Sequence, residues 1–336
     1  LEITTFRIDG TYTDNRRPDN VNFTRNIEND LSRRDFTVNA MAYSEKYGLV
    51  DLFGGVKDIE NKIIRCVGEP DKRFQEDALR IMRAIRFSSV LGFEIEKETA
   101  DSIRRNKHLL KNIAAERIRV ELEKLLLGDD AERVLLEFSD VIFEIIPELK
   151  ATSGVKQNCP YHIYDVWHHI VKSVASGEKN KYVRLAMLLH DIGNPPFGHF
   201  GETVIRDWFR QNMDKLYFQG KSLKEWLTPQ MQNDLYYFEG NTQALRLVCK
   251  LHYLIDENGM NLTKGLLGTI MKYPVSSLEI DKKSGDIRTK KMGYYYAERH
   301  IFKELQESLG TNGARHPLAR YIPYAVPLVF YQVPRR

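Results

Sequence analysis

No apolar run in the sequence approaches the roughly 18 residues that a membrane-spanning helix needs, and no secretory signal precedes the first charged stretch. These absences point to a soluble, cytoplasmic protein. Cysteine is scarce. Cys66, Cys159 and Cys249 stand far apart without metal-ligand spacing, which excludes a disulfide framework or a thiolate zinc site and fits a reducing compartment. An initiating methionine is missing too, since the chain opens on Leu1, and this reads as a start inside a gene. What is present is ordinary globular material: 336 residues, 42% hydrophobic and 29% charged, enough for two or three domains. The net charge of +4 and pI near 8.7 suit a nucleic-acid or polyphosphate partner without requiring one.

The densest chemistry lies in LLHDIGNPPFGHFGE, from Leu188 to Glu202. His190-Asp191 pairs the residue types that together hold a divalent metal, and His199 and Glu202 follow as an acid/base pair. Leu185 to Leu189 predict a buried helix, ended by Gly193 and forbidden to continue by Pro195-Pro196, so the ligands fall in its last turn. Gly198 to Glu202 read as a short glycine-rich loop that leaves room for a substrate. Upstream, VWHHIV places His168 and His169 in an apolar helical pattern, where a histidine is more often a core residue than a ligand.

Residues 1 to 65 read as strands and turns, with alternation over Thr4 to Ile8 and Val21 to Thr24 around a polar loop, Asp9 to Asn20. In SRRDFTVNAMAY, Arg33 and Arg34 offer a cationic fork for phosphates beside Asp35 and Asn39, which can hydrogen-bond a ribose; the plainer reading is a solvated first turn of an amphipathic helix. DLFGG, Asp51 to Gly55, predicts a tight turn. RFQEDALRIMRAIRF predicts one helix over Arg73 to Phe87, with Asp77, Arg80 and Arg83 recurring on one face, where acceptors and donors can meet the edge of a base.

The order RRDFTVNA, DLFGG, EDALRIMRAIRF and ERIRVEL resembles the bacterial CCA-adding tRNA nucleotidyltransferase and poly(A) polymerase family. That resemblance implies that Arg34, Asp35 and Asn39 contact ribose and triphosphate, that Asp77 with Arg80 selects the base, with Arg83 beside them, and that Arg117 and Arg119 brace a helical neck. It also implies an HD domain after the neck, with His169 as the ligand beside His190 and Asp191. The family holds its polymerising metals on an Asp-x-Asp that residues 1 to 31 do not contain, so the expectation is that this chain alone does not add nucleotides.

From about Asn194 the motifs HDIGNPPFGHFGE, YFEGNTQALRL, GMNLTKGLLGTIMKYP and KMGYYYAE are similar to those of the deoxyguanosine triphosphate triphosphohydrolases, as far as about Ala319. This likeness implies catalysis by His199 and Glu202 and a nucleotide near Asn241, Gln243, Arg246, Lys272, Lys291 and Tyr295. It leaves a metal (Mg, Mn or similar) with three protein ligands, His169, His190 and Asp191, because RYIPYAVPLVFYQVPRR supplies no carboxylate. Alone, FEGNTQALRL reads as an N-capped surface helix. The chain therefore reads as two family halves joined near residues 190 to 200, and helix faces of different origin are expected to pack loosely there.

The expected fold is mainly α. Residues 1-65 form a remnant of an α/β nucleotidyltransferase head, 66-150 a helical neck that binds nucleotide or tRNA, 151-319 an all-α HD-type domain, and 320-336 an uncharacteristic tail. The first functional reading is a metal-dependent dNTP triphosphohydrolase, releasing triphosphate from dGTP. Its alternatives are tRNA CCA-end nucleotidyltransfer and a non-catalytic tRNA- or nucleotide-binding module. Expected partners are a dNTP or NTP, tRNA and a second copy of the chain, with no membrane.

Overall fold

A computed structural model of the chain describes residues 5–10, 18–155, 164–195, 198–252, 259–311, 313–314 and 316–317. Cys159, Asp14 with most of its loop, Pro196 and the tail 320–336 lie outside them. The chain is mainly helical, with strands confined to short two-stranded ladders. It divides into two compact units, Leu1–Pro147 and Glu148–Arg336. Among the described residues no helix is long and apolar enough to cross a membrane.

In the first unit β1 (Arg7–Asp9) and β2 (Val21–Phe23) pair antiparallel, followed by α1 (Ile27–Ser32), whose first turn is capped by the Asn26 side chain. The segment Ser32 to Tyr43 is not a helix start. It runs extended through Phe36, which bridges Cys66, then forms a 3₁₀ turn over Thr37–Asn39 and enters β3 (Met41–Ser44), paired with β4 (Gly48–Asp51). The local pattern favoured a helix, but Phe36 is wholly buried against Phe87, with rings 5.8 Å apart and edge to face, and that burial outweighs propensity. The DLFGG turn is present. Asp51 accepts hydrogen bonds from the N–H groups of Gly55 (2.8 Å) and Val56 (2.9 Å), and Gly54 takes the left-handed φ of 76° that opens α2 (Gly55–Glu60).

Beyond β5 (Ile63–Ile64) the predicted single helix is two: α3 (Pro70–Glu76) and α4 (Leu79–Leu91). Asp77 is the break, extended at φ −140° and ψ 103°, with its carboxylate accepting the Leu79 N–H at 3.1 Å. After β6 (Glu94–Ile95), parallel to β5, come α5 (Lys97–Asn106), α6 (Ala115–Leu127), α7 (Ala131–Glu137) and α8 (Ser139–Ile145). Helix α4 packs on α6 through Ile81, Met82 and Ile85 among the fully buried residues, with Leu125 and Leu126 contributing to the same core. An Arg86–Glu121 ion pair of 2.5 Å also joins the two helices.

The second unit contains α9 (Val166–Ser176), α10 (Lys181–Leu189), α11 (Gly198–Asn212), the hairpin of β7 (Tyr217–Phe218) and β8 (Lys221–Ser222), α12 (Leu223–Trp226), α13 (Pro229–Tyr236), α14 (Gly240–Arg246), α15 (Lys264–Ile270) and α16 (Arg299–Leu309). Helix α10 is buried from Val183 through Leu189 and packs against α9 and α15, so the loose fit expected near this segment is not found. The helix stops at Leu189, before the histidine, and Gly193 serves a different purpose from ending it. A Cβ there would lie 2.2 Å from the Ala244 amide and 2.3 Å from the Gly240 carbonyl, so the glycine permits α14 to approach the His190-Asp191 turn. Gly198 to Glu202, expected as a loop, is the start of α11, which sets His199 and Glu202 one turn apart on one face. FEGNTQALRL forms α14, but not as a surface helix, because Thr242, Ala244 and Leu245 are buried and Glu239 makes no side-chain cap.

Candidate functional site

In the first unit the Asp35 carboxylate joins three segments. One oxygen accepts the Phe36 N–H (3.1 Å) and the Asn39 Nδ2 (2.7 Å), and the other accepts Arg83 Nε at 2.6 Å. Asp35 is buried, whereas the Arg83 side chain remains 33% exposed, so the guanidinium faces outward from a fixed anchor. Arg80 is also buried. Its Nη1 donates to Glu76 Oε2 (2.8 Å) and the Arg73 carbonyl (3.2 Å), and its Nη2 donates to the Arg33 carbonyl (3.1 Å). A guanidinium has five N–H donors, and three of those of Arg80 have acceptors among the described residues. The cationic fork is not free as expected, because Arg33 and Arg34 both bind Asp30, at 2.5 and 3.0 Å. Burial alone would raise the Asp30 carboxyl, but hydrogen bonds from these arginines hold it below the usual carboxylate range. Asp77 shows the opposite balance: burial raises it, with Arg117 on α6, 3.6 Å away, opposing. Sequence reasoning passed over Glu76 and Asp30. The i,i+4 spacing of Glu76 with Arg80 carried a signal for the first, and the i,i+3 and i,i+4 spacing of Asp30 with Arg33 and Arg34 carried the same signal for the second.

In the second unit His169, His190 and Asp191 meet, with one ligand atom from each lying within 4.8 Å of the others. Asp165 caps α9 and draws His168 to itself (2.8 Å), which leaves His169 as the histidine facing inward, its Nε2 3.7 Å from Asp191. His190 Nδ1 lies 2.7 Å from the Met187 carbonyl, which can only accept, so Nδ1 carries a proton, and Nε2 lies 3.2 Å from Asp191. Burial would raise Asp191, but His190, Lys272 and His169 together hold it well below its ordinary value. Two imidazoles and an ionised carboxylate fit a divalent cation.

Nearby in sequence, His199 Nδ1 is 2.9 Å from Glu202, which also accepts the Gly240 N–H (2.8 Å) and Arg206 (3.2 Å) and is almost wholly buried. Burial works against the Glu202 charge, yet the His199 contact and the Lys291 charge keep it below its usual range, while burial raises Glu239. Such a carboxylate fixes the orientation of the imidazole. The other residues of the hydrolase-like set are engaged in protein contacts. Lys291 binds Glu239 (2.9 Å), Arg246 makes a two-point pair with Glu298 (3.0 Å each) and lies 4.3 Å from the Tyr295 ring centroid, and Lys272 is buried. Asn241 and Gln243 are half-buried on α14.

Comparison with known proteins finds two family models, both in the N-terminal half of the chain. Residues 1–65 match the Poly A polymerase head domain, and residues 92–152 match the probable RNA and SrmB-binding site of polymerase A. The CCA-adding enzyme of Ligilactobacillus salivarius is 56% identical over 139 residues, 41% of this chain and 34% of that one. That of Bacillus pumilus is 44% identical over 185 residues, 53% of this chain and 46% of that one. A deoxyguanosinetriphosphate triphosphohydrolase-like protein of Listeria monocytogenes is 52% identical over 145 residues, 43% of this chain and 31% of that one. The chain thus spans between about a third and a half of these relatives' length. The crystal structure of the Bacillus stearothermophilus CCA-adding enzyme in complex with CTP aligns at 27% identity and a TM-score of 0.46, covering 91% of this chain and 63% of that one. These findings overturn the first functional reading, a dNTP triphosphohydrolase, and favour its alternative: the family models describe parts of a poly(A) polymerase and a run of relatives are CCA-adding enzymes. The N-terminal region of the chain matches the CCA-adding enzyme and poly(A) polymerase family.

Proposed function

We propose that the first unit is the nucleotide-selecting and tRNA-contacting part of a CCA-adding tRNA nucleotidyltransferase. The observation that carries this reading is the anchoring of Arg80. Three of its donors are tied to Glu76 and to the carbonyls of Arg73 and Arg33, and its backbone N–H donates to the Asp77 carbonyl at 3.0 Å, so the guanidinium is fixed three residues from the Asp77 carboxylate. Cytosine and adenine each present an amino donor, N4–H₂ or N6–H₂, next to a ring-nitrogen acceptor on the pairing edge. A carboxylate and a guanidinium edge match that pair and mismatch uracil and guanine. Arg83, held by Asp35, and the partly exposed Arg34 supply positive charge for the triphosphate, and Asn39 lies beside Asp35 for the ribose. Exposed Arg104, Arg105 and Lys111, in the segment that matches the RNA-binding model, give a tRNA backbone a basic surface.

In the second unit we assign a divalent cation to His169, His190 and Asp191, with the two imidazoles favouring a transition-metal ion over Mg²⁺. Such an ion supplies Lewis acidity, and the chain's own contribution is to fix the His190 tautomer through Met187 and to keep Asp191 ionised. Equilibrium titration of the chain with CTP, ATP, UTP and GTP, and with a tRNA lacking its CCA end, tests the first assignment. Preference for CTP and ATP that disappears in Asp77→Ala is expected, and equal affinity for all four nucleotides would refute it.

A further inference from the structure

The hydrogen bond that holds Arg83 to Asp35 is made through Nε, at 2.6 Å. It fixes where the guanidinium begins but not how its plane turns, and an anion is met in that plane, at the Nη edge. A second contact restrains the plane. Arg83 Cζ lies 5.6 Å from the centroid of the Phe87 ring, one turn on along α4, within the range of a cation–π contact. Phe87 packs edge to face on Phe36, with centroids 5.8 Å apart, and the Phe36 N–H donates to the other Asp35 oxygen at 3.1 Å. Asp35, Arg83, Phe87 and Phe36 therefore form a closed circuit of contacts, in which the aromatic pair joins α4 to the extended stretch before the 3₁₀ turn.

Core packing alone does not account for this ring. Phe36 is wholly buried, but Phe87 is only half-buried, and two guanidinium groups lie within cation–π range of it. Arg86, with Cζ 3.8 Å from the centroid, is committed to Glu121 on α6 at 2.5 Å, so its stacking belongs to the joint between α4 and α6. Arg83 goes instead to Asp35. A leucine would pack on Phe36 without attracting either cation, since the attraction is to the negative face of an aromatic ring.

We propose that Phe87 is a positioning residue for triphosphate binding: it holds the plane of the Arg83 guanidinium so that the Nη edge faces the phosphates of an incoming nucleotide. The inference rests on the assignment of Arg83 to the triphosphate made above. Phe87 acts through Arg83 and touches no part of the nucleotide itself. Its removal therefore weakens the hold on the phosphates and leaves the reading of the base in place.

The test compares equilibrium affinities for CTP and CMP, which share base and ribose and differ in phosphate charge. The unsubstituted chain is set beside Phe87→Leu, Phe87→Tyr, Arg86→Met, Arg83→Met and the combination of Arg83→Met with Phe87→Leu, each first checked for folding by thermal denaturation. In Phe87→Leu the preference for CTP over CMP is expected to fall about threefold, the scale of one partly exposed cation–π contact. Phe87→Tyr keeps the ring and the preference, and Arg86→Met, which removes the other cation from the same ring, keeps the preference as well. Once Arg83 is methionine, Phe87→Leu should have no further effect on the preference. Should Phe87→Leu fail to fold, Phe87→Met, whose flexible side chain fits irregular space, takes its place in the same cycle. A preference unchanged in Phe87→Leu, or a loss of the same size after Arg83→Met, would overturn the proposal. So would an equal loss in Arg86→Met or in Phe87→Tyr. An unsubstituted chain that binds CTP no better than CMP, or an Arg83→Met variant that keeps the full preference, rejects the triphosphate assignment of Arg83 itself. That result is distinct from an intact assignment to which Phe87 adds nothing.

Discussion

Replacing Asp35 with asparagine is close to isosteric, yet the structure makes it a severe change. The carboxylate accepts at both ends: Phe36 N–H and Asn39 Nδ2 on one oxygen, Arg83 Nε on the other. An amide has one accepting end. With its oxygen toward Arg83, its NH₂ meets two donors; turned over, the NH₂ meets the guanidinium. Either orientation sets donor against donor at a buried position, which costs about 1–3 kcal/mol for the unsatisfied group. The lost Asp35 charge opposite Arg83 adds to this, though the 33% exposure of the Arg83 side chain screens the pair, so roughly 1 kcal/mol is the fair allowance. Asp35→Asn should therefore destabilise the first unit by about 2–4 kcal/mol, nearly as much as Asp35→Ala. Urea denaturation followed by far-ultraviolet circular dichroism measures both, and the cycle with Arg83→Met isolates the pair. An asparagine variant within about 0.5 kcal/mol of the parent would show that the three-way junction does not hold these segments together, and would remove the argument that Arg83 is presented from a fixed anchor.

Three further outcomes are expected. Burial raises Asp77 above its ordinary 3.8 in the native state, so its contribution to stability is fully present below that pH and is lost as pH rises through the raised value. Asp77→Asn, which can still cap Leu79, should gain on the parent between about pH 4 and 7, and thermal melts showing a pH-independent difference would contradict this. Gly193→Ala drives a Cβ into the backbone of Gly240 and Ala244 and should cost the second unit about 3 kcal/mol or more, read from its unfolding midpoint; a neutral substitution would mean that the close approach is not real. Removing either His190 or Asp191 should abolish stoichiometric Mn²⁺ or Zn²⁺ uptake and the thermal stabilisation that uptake confers, measured by metal analysis after dialysis, whereas His168→Ala should leave uptake intact because His168 is committed to the Asp165 cap.

The elements that sequence alone made visible are those whose cause is local. The β2 strand, the Asp51 turn and the buried run before His190 are each dictated by neighbouring residues and stand where expected, whereas β1 forms over Arg7–Asp9 rather than Thr4 to Ile8. Errors arose where side-chain partners, near or distant, override the periodicity of the pattern. Arg73 to Phe87 has the periodicity of one helix, and only the extended backbone at Asp77, with its side chain turned to the Leu79 amide, shows two. Gly198 and Gly201 weakened the helical signal over residues that form the first turn of α11, where the buried Glu202 meets the Gly240 amide, 38 residues on in sequence. Arg33 and Arg34 read as a free cationic fork because Asp30, one turn earlier, was not seen as their partner.

The candidate sites follow the same division, and it explains why the functional ranking had to change. His190 and Asp191 are adjacent and need only His169 from the next helix back, so that cluster could be read from the sequence almost whole. Chemistry packed into a short motif is conspicuous, and conspicuous chemistry drew the hydrolase reading ahead. The residues proposed for the nucleotide in the first unit are dispersed by contrast: Asp35 and Arg83 stand 48 positions apart, Arg80 and the Arg33 carbonyl 47. Each of those residues has an ordinary local explanation as a helix-surface charge. Their significance lies in the shared anchoring, which fixes two guanidinium edges and a carboxylate relative to one another before any ligand is present. A metal cluster bears on which ion can bind, whereas a preorganised set of donors and acceptors bears on which base can, and on the reading proposed above it is the second that the first unit supplies.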